Sequence, residues 1–569
     1  MRRDPLLRTQ LNRHGWREAS LVCLAFAALT VLLTFPLALR LGSVGRADNG
    51  DGQFSIWNVA WVARTLVVDP LHVFDANIFY PHRGTLAYSE SNLGAGALAV
   101  PVYWATRNPY AALNFAFLLS FVFSAAGAYY LVRYLTGSRS AAVVAAVTFA
   151  YCPYVFAHTP HIQLLMTAGL PFSMLAFHRL ADEPTAGRGA TLGLAMAAQA
   201  LFCGYYAVFV LLMIGWAVLV VLVARGGWTD ARYWTALTVA AAVAGAAVLP
   251  IFIPYWSLQG EAGFVRSVDA ARQWSADWRA YLASSAYLHA WLLPIIRHWN
   301  EVLFPGFVAG TFGLAGSAIG WRARGRSREA SVLYGGLALL AFWTSFGPDA
   351  GLYRVLYAVV PGFGLLRAPS RLGIVVVLAL SVLTGVAIAT WLSRLGRSGE
   401  PSSTTSGRAT LGRPAVVTFV LTAVAVMELT VPLSFPPVPR VETVYRILAR
   451  LPRGGLLETP VFSSRFAFAR TQYMLSSTTH WMPLVNAYSD YTPQDFLDKA
   501  EALGGFPSRE AFAILQRDRV KYVIVHWTLY TPKARGELDA RLKEFEPYLV
   551  RCYDDERSRL YQIVAFPQS

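Results

Sequence analysis

The chain of 569 residues is 55% hydrophobic and only 14% charged, and its mean hydropathy is +0.42. Soluble proteins carry about a quarter charged residues, so the composition excludes an ordinary soluble protein and indicates surface that faces membrane lipids. The net charge of +16 comes from basic residues in short stretches between apolar runs. Membrane proteins fix their orientation in this way, and the pattern argues against nucleic acid as a partner.

Apolar runs long enough to cross a bilayer, about 20 residues, recur along most of the chain. The first, at about 18–41, is too long for a signal-peptide core and no small-residue cleavage pattern follows it, so we expect a retained helix. The segment 189–225 is predicted as two spans, with one long bent helix as the alternative. The ten spans after the first are predicted near 110–134, 141–157, 161–180, 189–204, 205–225, 233–256, 302–321, 330–346, 370–393 and 414–434.

Arginine clusters predict the orientation of these eleven or so spans. Basic residues gather on the cytoplasmic side of membrane proteins, which places the N-terminus inside and, with an odd number of spans, the C-terminal region outside. We therefore expect a multi-pass protein of the inner (plasma) membrane. The clusters assigned to the cytoplasmic side are Arg2, Arg3, Arg8, Arg13 and Arg17 in the tail, Arg322, Arg324, Arg326 and Arg328 in one loop, and Arg394, Arg397, Arg408 and Arg413 in another, which also holds the flexible stretch Pro401–Gly407.

Two segments between spans are predicted to lie outside. The first, 42–109, contains a short apolar run at 93–104 that holds a proline and cannot cross the bilayer, so a re-entrant or juxtamembrane helix is expected. The second, 257–301, balances basic and acidic residues and is rich in tryptophan, as is typical of a membrane interface. Its charged residues are Arg266, Arg272, Arg279, Arg297, Glu261, Asp269, Asp277 and Glu301.

The predicted fold class is mainly α: a polytopic transmembrane helical bundle over residues 1–435, followed by a small extracytoplasmic α/β domain at 436–569. In the latter, 520–527 and 560–564 are expected to form strands and 537–545 an amphipathic helix. About 130 residues suffice for a separate core.

The cysteines indicate neither a disulfide framework nor a zinc site. Cys23, Cys152, Cys203 and Cys552 show no motif spacing, and three of them lie in apolar helices.

The first outer segment collects acidic residues. Asp48 and Asp51 stand three apart beside glycines, directly before a predicted helix, and Glu90 follows further along. Carboxylates near a bilayer are costly unless they are paired or used. Two interpretations stay open: Asp48 or Asp51 caps the helix N-terminus, or this segment holds a catalytic carboxylate.

This arrangement resembles the GT-C superfamily of membrane glycosyltransferases, which includes oligosaccharyltransferases, protein mannosyltransferases and bacterial aminoarabinose transferases. The resemblance covers residues 1 to about 435. It lies in the acidic first outer loop, the short helices after it and the multi-span core. Locally it rests on Gly50-Asp51-Gly52 with Trp57 and Trp61, on Phe79-Tyr80-Pro81, and on Leu366-Arg367-Ala-Pro-Ser-Arg371.

The resemblance implies an inverting glycosyltransferase that takes a sugar from a polyprenyl-phosphate-linked donor and passes it to an extracytoplasmic glycan, lipid or protein. Such transfer needs a base that removes the acceptor proton. Asp51 is the first choice for this base, Asp48 the second and Glu90 the third, with Glu90 alternatively positioning substrate. In the superfamily the acidic residue acts as base or binds a metal, so a divalent metal is a possible cofactor. The D-x-x-D spacing here differs from the common D-x-D.

Cations at the outer interface are expected to hold the leaving phosphate. Arg367 and Arg371 stand about one helical turn apart at the entrance of the 370–393 helix, and arginine offers a fork matched to phosphate oxygens. The alternative is that both snorkel to lipid headgroups.

Two further outer pairs are candidate substrate contacts. His158 and His161 fit a hydrogen-bonding loop better than a metal site, because no third ligand is evident nearby. Tyr205 and Tyr206 line a sugar or lipid site or belong to the aromatic belt of the interface.

Two other functions remain open. A flippase for a lipid-linked glycan would place ionisable residues at mid-membrane and show internal repeats, whereas these spans are almost free of charge. A non-catalytic assembly partner with a glycan- or protein-binding outer domain is the other alternative.

Overall fold

The architecture was obtained as a computed structural model, which describes residues 5–262, 267–360, 362–397 and 413–568. The predicted inside arginines Arg2, Arg3 and Arg408, the outer Arg266 and the stretch 401–407 lie outside the described residues. The first eleven helices are α1 (Pro5–Leu33), α2 (Gly50–Val68), α3 (Leu93–Thr106), α4 (Pro109–Thr136), α5 (Arg139–Ala150), α6 (Pro153–Ala157), α7 (Ile162–Leu165), α8 (Gly169–Asp182), α9 (Ala186–Phe202), α10 (Gly204–Arg225) and α11 (Ala231–Ala262).

The later helices and the strands continue in chain order. The helices are α12 (Val268–Arg272), α13 (Leu293–Ile296), α14 (Phe307–Arg322), α15 (Arg326–Ser345), α16 (Leu352–Val359), α17 (Gly373–Arg397), α18 (Arg413–Leu429), α19 (Thr443–Leu448), α20 (Thr471–Ser477), α21 (Gln494–Gly504), α22 (Arg509–Arg517) and α23 (Pro532–Glu544). The strands are β1 (Gly455–Thr459), β2 (Val520–His526), β3 (Leu549–Asp554) and β4 (Ser558–Ile563).

The chain forms two compact units. Unit 1 comprises residues 1–39, 117–252 and 263–434, and unit 2 comprises residues 40–116, 253–262 and 435–569. A division between residues 434 and 435 is present as in the prediction, but the first outer segment, which was expected in the transmembrane unit, packs with the C-terminal region inside unit 2.

Every predicted span is present as helix. Over the described residues, seven helical segments are long and apolar enough to cross a membrane, as expected for a multi-pass membrane protein. The other four predicted spans are α9, α14 and α18, of 16 or 17 residues, and α15, which begins in a charged turn. The segment 189–225 forms two helices rather than one bent helix, since the backbone is extended at Cys203.

Prolines stand at two of the places where helix boundaries differ from prediction. The first helix ends at Leu33 instead of running to 41, because Pro36 follows and proline cannot continue the hydrogen-bond ladder. The predicted span 141–157 is broken between α5 and α6, where Pro153 occupies the first turn of the second helix. The span is thus a long helix with a short extension.

Helix α17 is the central element of unit 1. In the apolar membrane-span segment of α17, 89% of the residues are buried, whereas only 11% are buried in the corresponding segments of α1 and α11. Helices α1 and α11 therefore present apolar surface outward. Helices α5, α14 and α15 pack against α17. The approach of α14 is close: a Cβ added at Gly316 would lie 1.9 Å from the Leu383 carbonyl oxygen.

Unit 2 is built around a four-stranded mixed sheet in the order β1-β2-β4-β3, with β1 and β2 parallel and the other pairs antiparallel. This confirms the predicted α/β character of the C-terminal region, including a strand at 520–526 and one at 558–563. Side chains of β2 alternate between two apolar cores: Tyr522 and Ile524 enter one, and Val523 and Val525 the other.

The first of these cores joins distant parts of the sequence. It holds Trp57 and Trp61 of α2 together with Tyr445, Leu456 and Ile524 from the C-terminal region. Asn77 adds polar connections, as its Nδ2 donates to Ser477 Oγ (3.1 Å) and to the Met482 carbonyl (3.0 Å), and its Oδ1 accepts from Trp57 Nε1 (3.0 Å). Helix α3 packs on α2. The short apolar helix predicted at 93–104 is therefore present and belongs to unit 2.

Candidate functional site

The acidic motif of the first outer segment lies at the start of α2 in unit 2. The helix N-cap is Asn49, whose Oδ1 accepts from the Gly52 amide at 2.8 Å, so neither aspartate is the cap that the sequence suggested. Asp51 is half-buried in the first turn, where the positive end of the helix dipole favours an ionised carboxylate. Asp48 precedes the cap.

Asp48 is engaged by a neighbouring arginine. Arg46 Nε donates to Asp48 Oδ1 at 3.0 Å and Arg46 Nη2 to Oδ2 at 3.3 Å, the bidentate geometry that arginine makes with carboxylates. The Asp48 side chain is therefore already engaged by a residue of its own segment.

The glycines around Asp51 have a packing role. A Cβ at Gly52 would lie 1.6 Å from the Arg46 carbonyl oxygen, and one at Gly50 would lie 2.3 Å from the Phe468 ring. Their small size is therefore required by the protein's own backbone and side chains.

Glu90 lies before α3 and is half-buried. Its carbonyl accepts from Asn58 Nδ2 at 3.0 Å, and the residues on either side of it contact the Tyr255 hydroxyl: Ser89 O at 3.2 Å and Ser91 N at 3.1 Å. The backbone here is thus fixed, which suits the positioning role given to Glu90 as its alternative.

The arginine pair is in unit 1, at the start of α17. Arg371 lies in a short 3-10 turn, Pro369–Leu372, that leads into the helix, while Arg367 precedes the extended residue Ala368. The two arginines therefore do not share a helix face. Tyr205 connects them instead: the Arg371 guanidinium lies 4.3 Å from its ring centroid, and its hydroxyl accepts from the Arg367 amide at 3.4 Å.

Arg371 is half-buried and, in the described part of the chain, forms no ion pair with a carboxylate. Its Nε is buried and makes no hydrogen bond. Arg367 lies over a second ring, 5.4 Å from the centroid of Trp274. Aromatic faces stabilise a cation without using its N–H donors, so the Arg371 fork keeps donors for an anion.

A buried ion pair beside Arg371 is the feature that sequence reasoning missed. His158 Nε2 lies 3.3 Å from Glu301 Oε2, and His158 Nδ1 lies 2.8 Å from the Tyr154 carbonyl. Burial raises the pKa of Glu301, but the His158 hydrogen bond and charge, with the charge of Arg371, outweigh burial and lower the pKa overall. In the sequence Glu301 is one charge of the balanced segment 257–301, and its distance along the chain from His158 gives no signal of their pairing.

The remaining predicted contacts are arranged around this pair. Tyr206 faces inward, with its hydroxyl 3.2 Å from that of Tyr154 and donating to the Leu164 carbonyl at 2.8 Å. The rings of His158 and His161 have centroids 6.2 Å apart. In the described residues no group of three or more His, Cys, Asp or Glu is placed to hold a metal ion, and the metal dependence stays a prediction.

Comparisons with known proteins give likeness in fold. No family model matches the chain and no curated protein matches it. Among solved structures, the chain is similar to the archaeal oligosaccharyltransferase AglB from Archaeoglobus fulgidus, in complex with an inhibitory peptide and a dolichol-phosphate. The identity is 12%, the TM-score 0.48, and the match covers 95% of this chain and 73% of that one.

It is also similar to ArnT from Cupriavidus metallidurans in the apo state, at 13% identity and a TM-score of 0.41, covering 98% of this chain and 100% of that one. The form of ArnT bound to undecaprenyl phosphate matches at 12% identity and a TM-score of 0.38, over 97% and 99% of the two chains.

Proposed function

We propose that the protein is an integral membrane glycosyltransferase that takes a sugar from a polyprenyl-phosphate-linked donor and passes it to an extracytoplasmic glycan, lipid or protein. The observation that supports this most is the Arg371 guanidinium, which is half-buried on the Tyr205 ring with an unused Nε and no carboxylate partner among the described residues. A cation held in this manner suits the phosphate of a lipid carrier.

The reaction assigned to these residues is an inverting displacement. The acceptor hydroxyl oxygen attacks the anomeric carbon of the donor sugar and loses its proton to the Asp51 carboxylate. The bond between the anomeric carbon and the phosphate oxygen breaks, and the lipid phosphate leaves with the bonding electrons. Arg371 and Arg367 neutralise the charge that develops on the phosphate.

The pair formed by His158 and Glu301 has a positioning role in this proposal. Arg371 is close enough for its charge to lower the pKa of Glu301. The Glu301 carboxylate is already engaged by His158, whose Nε2 lies 3.3 Å away. It can therefore orient the guanidinium without cancelling its charge. A phosphate is then the stronger partner for the free donors.

The phosphate role is tested by titrating the purified protein with a polyprenyl-phosphate sugar. Loss of a charged hydrogen bond costs about 1.5–3 kcal/mol, so Arg371→Ala is expected to weaken donor binding roughly 10- to 150-fold. Arg371→Lys keeps the charge but loses the forked geometry, so its affinity for the donor is expected to lie between those of Arg371→Ala and the parent. Arg279→Ala is the matched control, because Arg279 also lies over a ring, that of Trp278, at 5.5 Å. If Arg371→Ala binds donor as the parent does, the phosphate role is refuted.

The base is tested separately by the rate of transfer. Asp51→Asn is nearly isosteric and is expected to lower the rate about 10²- to 10⁴-fold with donor binding retained. Asp48→Asn serves as the control, since Asp48 is already paired with Arg46. Full activity of Asp51→Asn would show that another group accepts the proton.

A further inference from the structure

Unit 2 contains a large cavity that the proposed transfer reaction does not require. Its volume is about 960 Å³, and its lining comes from the ends of α2 and α3, the segment 436–442 and the region of α20. Three arginines line it, namely Arg64, Arg107 and Arg440. A cavity of this size accommodates a ligand of several sugar rings or a comparable small molecule.

Arg64 is the most constrained of these cations. It is half-buried and forms no ion pair with a carboxylate among the described residues; its guanidinium lies 5.5 Å from the centroid of the Trp481 ring. Burial lowers the pKa of Arg64; Tyr103 acts in the opposite direction, and the charges of Arg453 and Arg107 lower the pKa further. Like charges gathered beside a half-buried guanidinium destabilise the fold unless an anion joins them.

The backbone around the cavity carries strain at two of its lining residues. Arg107 and Trp481 have φ values of 54° each, a conformation that costs a residue with a Cβ roughly 1–2 kcal/mol. Arg107 follows α3 as its C-cap, with its amide donating to the Tyr103 carbonyl at 2.7 Å, a position where glycine is usual. The chain has arginine there, and strained residues of this kind cluster at ligand sites.

The rest of the lining matches a polyhydroxylated ligand. Tyr103, Tyr445 and Trp481 offer aromatic faces with polar edges. The carboxylates present, Asp48 and Glu442, can accept hydroxyl hydrogens, and Asp48 is already neutralised by Arg46. Amide and hydroxyl side chains complete the wall, namely Gln53, Asn108, Gln472, Ser476, Thr478 and Thr479.

We propose that this cavity binds an anionic glycan, a sugar chain that carries a carboxylate or a phosphate, with Arg64 and Arg107 holding the charged group and Trp481 the sugar face. The inference does not depend on the transfer reaction, since it concerns binding alone. Charge-assisted bonds from arginine to a carboxylate or phosphate supply the affinity, and the aromatic face supplies the preference for a sugar over a bare anion.

The test is calorimetric titration of the full chain in lipid nanodiscs. The probes are a disaccharide with one glucuronate, the same disaccharide reduced to its neutral form, a disaccharide with one phosphate, and inorganic phosphate. We expect either charged disaccharide to bind at least about tenfold more tightly than the neutral one, and added salt to weaken that preference. Comparing the affinities of the glucuronate and the phosphate disaccharides then identifies which charged group the cavity prefers.

Variants connect this binding to the cavity. Arg64→Gln and Arg107→Gln are each expected to lower affinity for the charged disaccharide about tenfold and to leave the neutral one unchanged. Arg107 is exposed, so its variant keeps the test valid if Arg64→Gln folds poorly. Arg450→Gln, an exposed arginine outside the lining, is the control. Equal binding of the neutral probe, binding by both variants as by the parent, or equally tight binding of inorganic phosphate would overturn the proposal.

Discussion

At the scale of single residues, Tyr205 is the contact on which the proposed phosphate site depends most. Sequence reasoning placed it at an outer turn, with the aromatic belt as an alternative. In the structure its ring lies under Arg371 and its hydroxyl accepts from the Arg367 amide. The sequence could identify the two arginines by their chemistry. It could not show that a tyrosine of another helix contacts the guanidinium of one and the backbone amide of the other.

Replacing Tyr205 tests the cation–π contact. A ring under a guanidinium contributes about 0.5–2 kcal/mol, so Tyr205→Leu is expected to weaken donor binding roughly 2- to 30-fold. Tyr205→Phe keeps the ring, loses only the 3.4 Å bond to Arg367, and is expected to bind donor nearly as the parent does. Equal affinities for Leu and the parent in a donor titration would show that the ring does not hold Arg371.

Glu301 provides a pH dependence of stability. Its pKa in the folded protein is lowered from 4.5, and burial, which acts in the opposite direction, is outweighed by His158 and Arg371. A lowered folded pKa adds stability that is fully present above the unfolded pKa and is lost as the pH falls through the folded pKa.

Thermal unfolding between pH 6 and about pH 3 should therefore separate parent and variant, because the lowered pKa puts the loss in the acid range. The parent is expected to lose stability as the pH falls below about 4.5, and Glu301→Gln is expected to lose less over the same range. Parallel curves for the two proteins would mean that the ionised carboxylate adds no stability.

At the scale of elements, the hydropathy of the sequence was sufficient to locate the long helices, but it was insufficient to predict where they break. The long spans α4, α10, α11 and α17 were located within a few residues, since apolar length is a strong signal. The break between α7 and α8 was not foreseen. It falls at 166–168, and Pro171 in the first turn of α8 can neither donate to the carbonyl of residue 167 nor pack against it as a continuous helix would require.

Close packing of α14 on α17 gives an element-scale prediction. Gly316 faces the α17 backbone, so Gly316→Val is expected to force the helices apart and cost about 1–3 kcal/mol or more. Gly310 stands on the same helix with open space beside it, and Gly310→Val is expected to change little. The unfolding temperatures of the two variants decide this, and equal values would contradict the observed packing.

At the scale of the whole molecule, the sequence predicted a mainly helical, multi-pass chain and the α/β character of the C-terminal region. The composition of unit 2 was not predicted, because the contact of residues 40–116 with residues 435–569 rests on long-range burial of Trp57, Trp61 and Tyr445. In the sequence alone, aromatic residues of this kind are typical of a membrane interface. Their partners are far away in sequence.

Orientation is the prediction that belongs to this scale. Reporter fusions after residues 60, 280 and 500 are expected to report the outer side, and fusions after 325 and 405 the cytoplasm, because arginine clusters are retained inside. Fusions at 325 and 405 serve as internal controls for each other. An inside signal at 500 would refute the count of spans and remove the extracytoplasmic assignment of the C-terminal region.

The discontinuity of unit 2 has a consequence for the timing of biogenesis. Asn77 bonds to Ser477, 400 positions further along the chain. At about 5–20 residues per second of synthesis, roughly 20–80 s separate their emergence from the ribosome. Throughout that interval the tryptophans of α2 lack the part of their core that residues from Val444 onward supply. Ribosome pausing within residues 117–434 would therefore lengthen the time during which this incompletely buried apolar segment is open to proteolysis and aggregation.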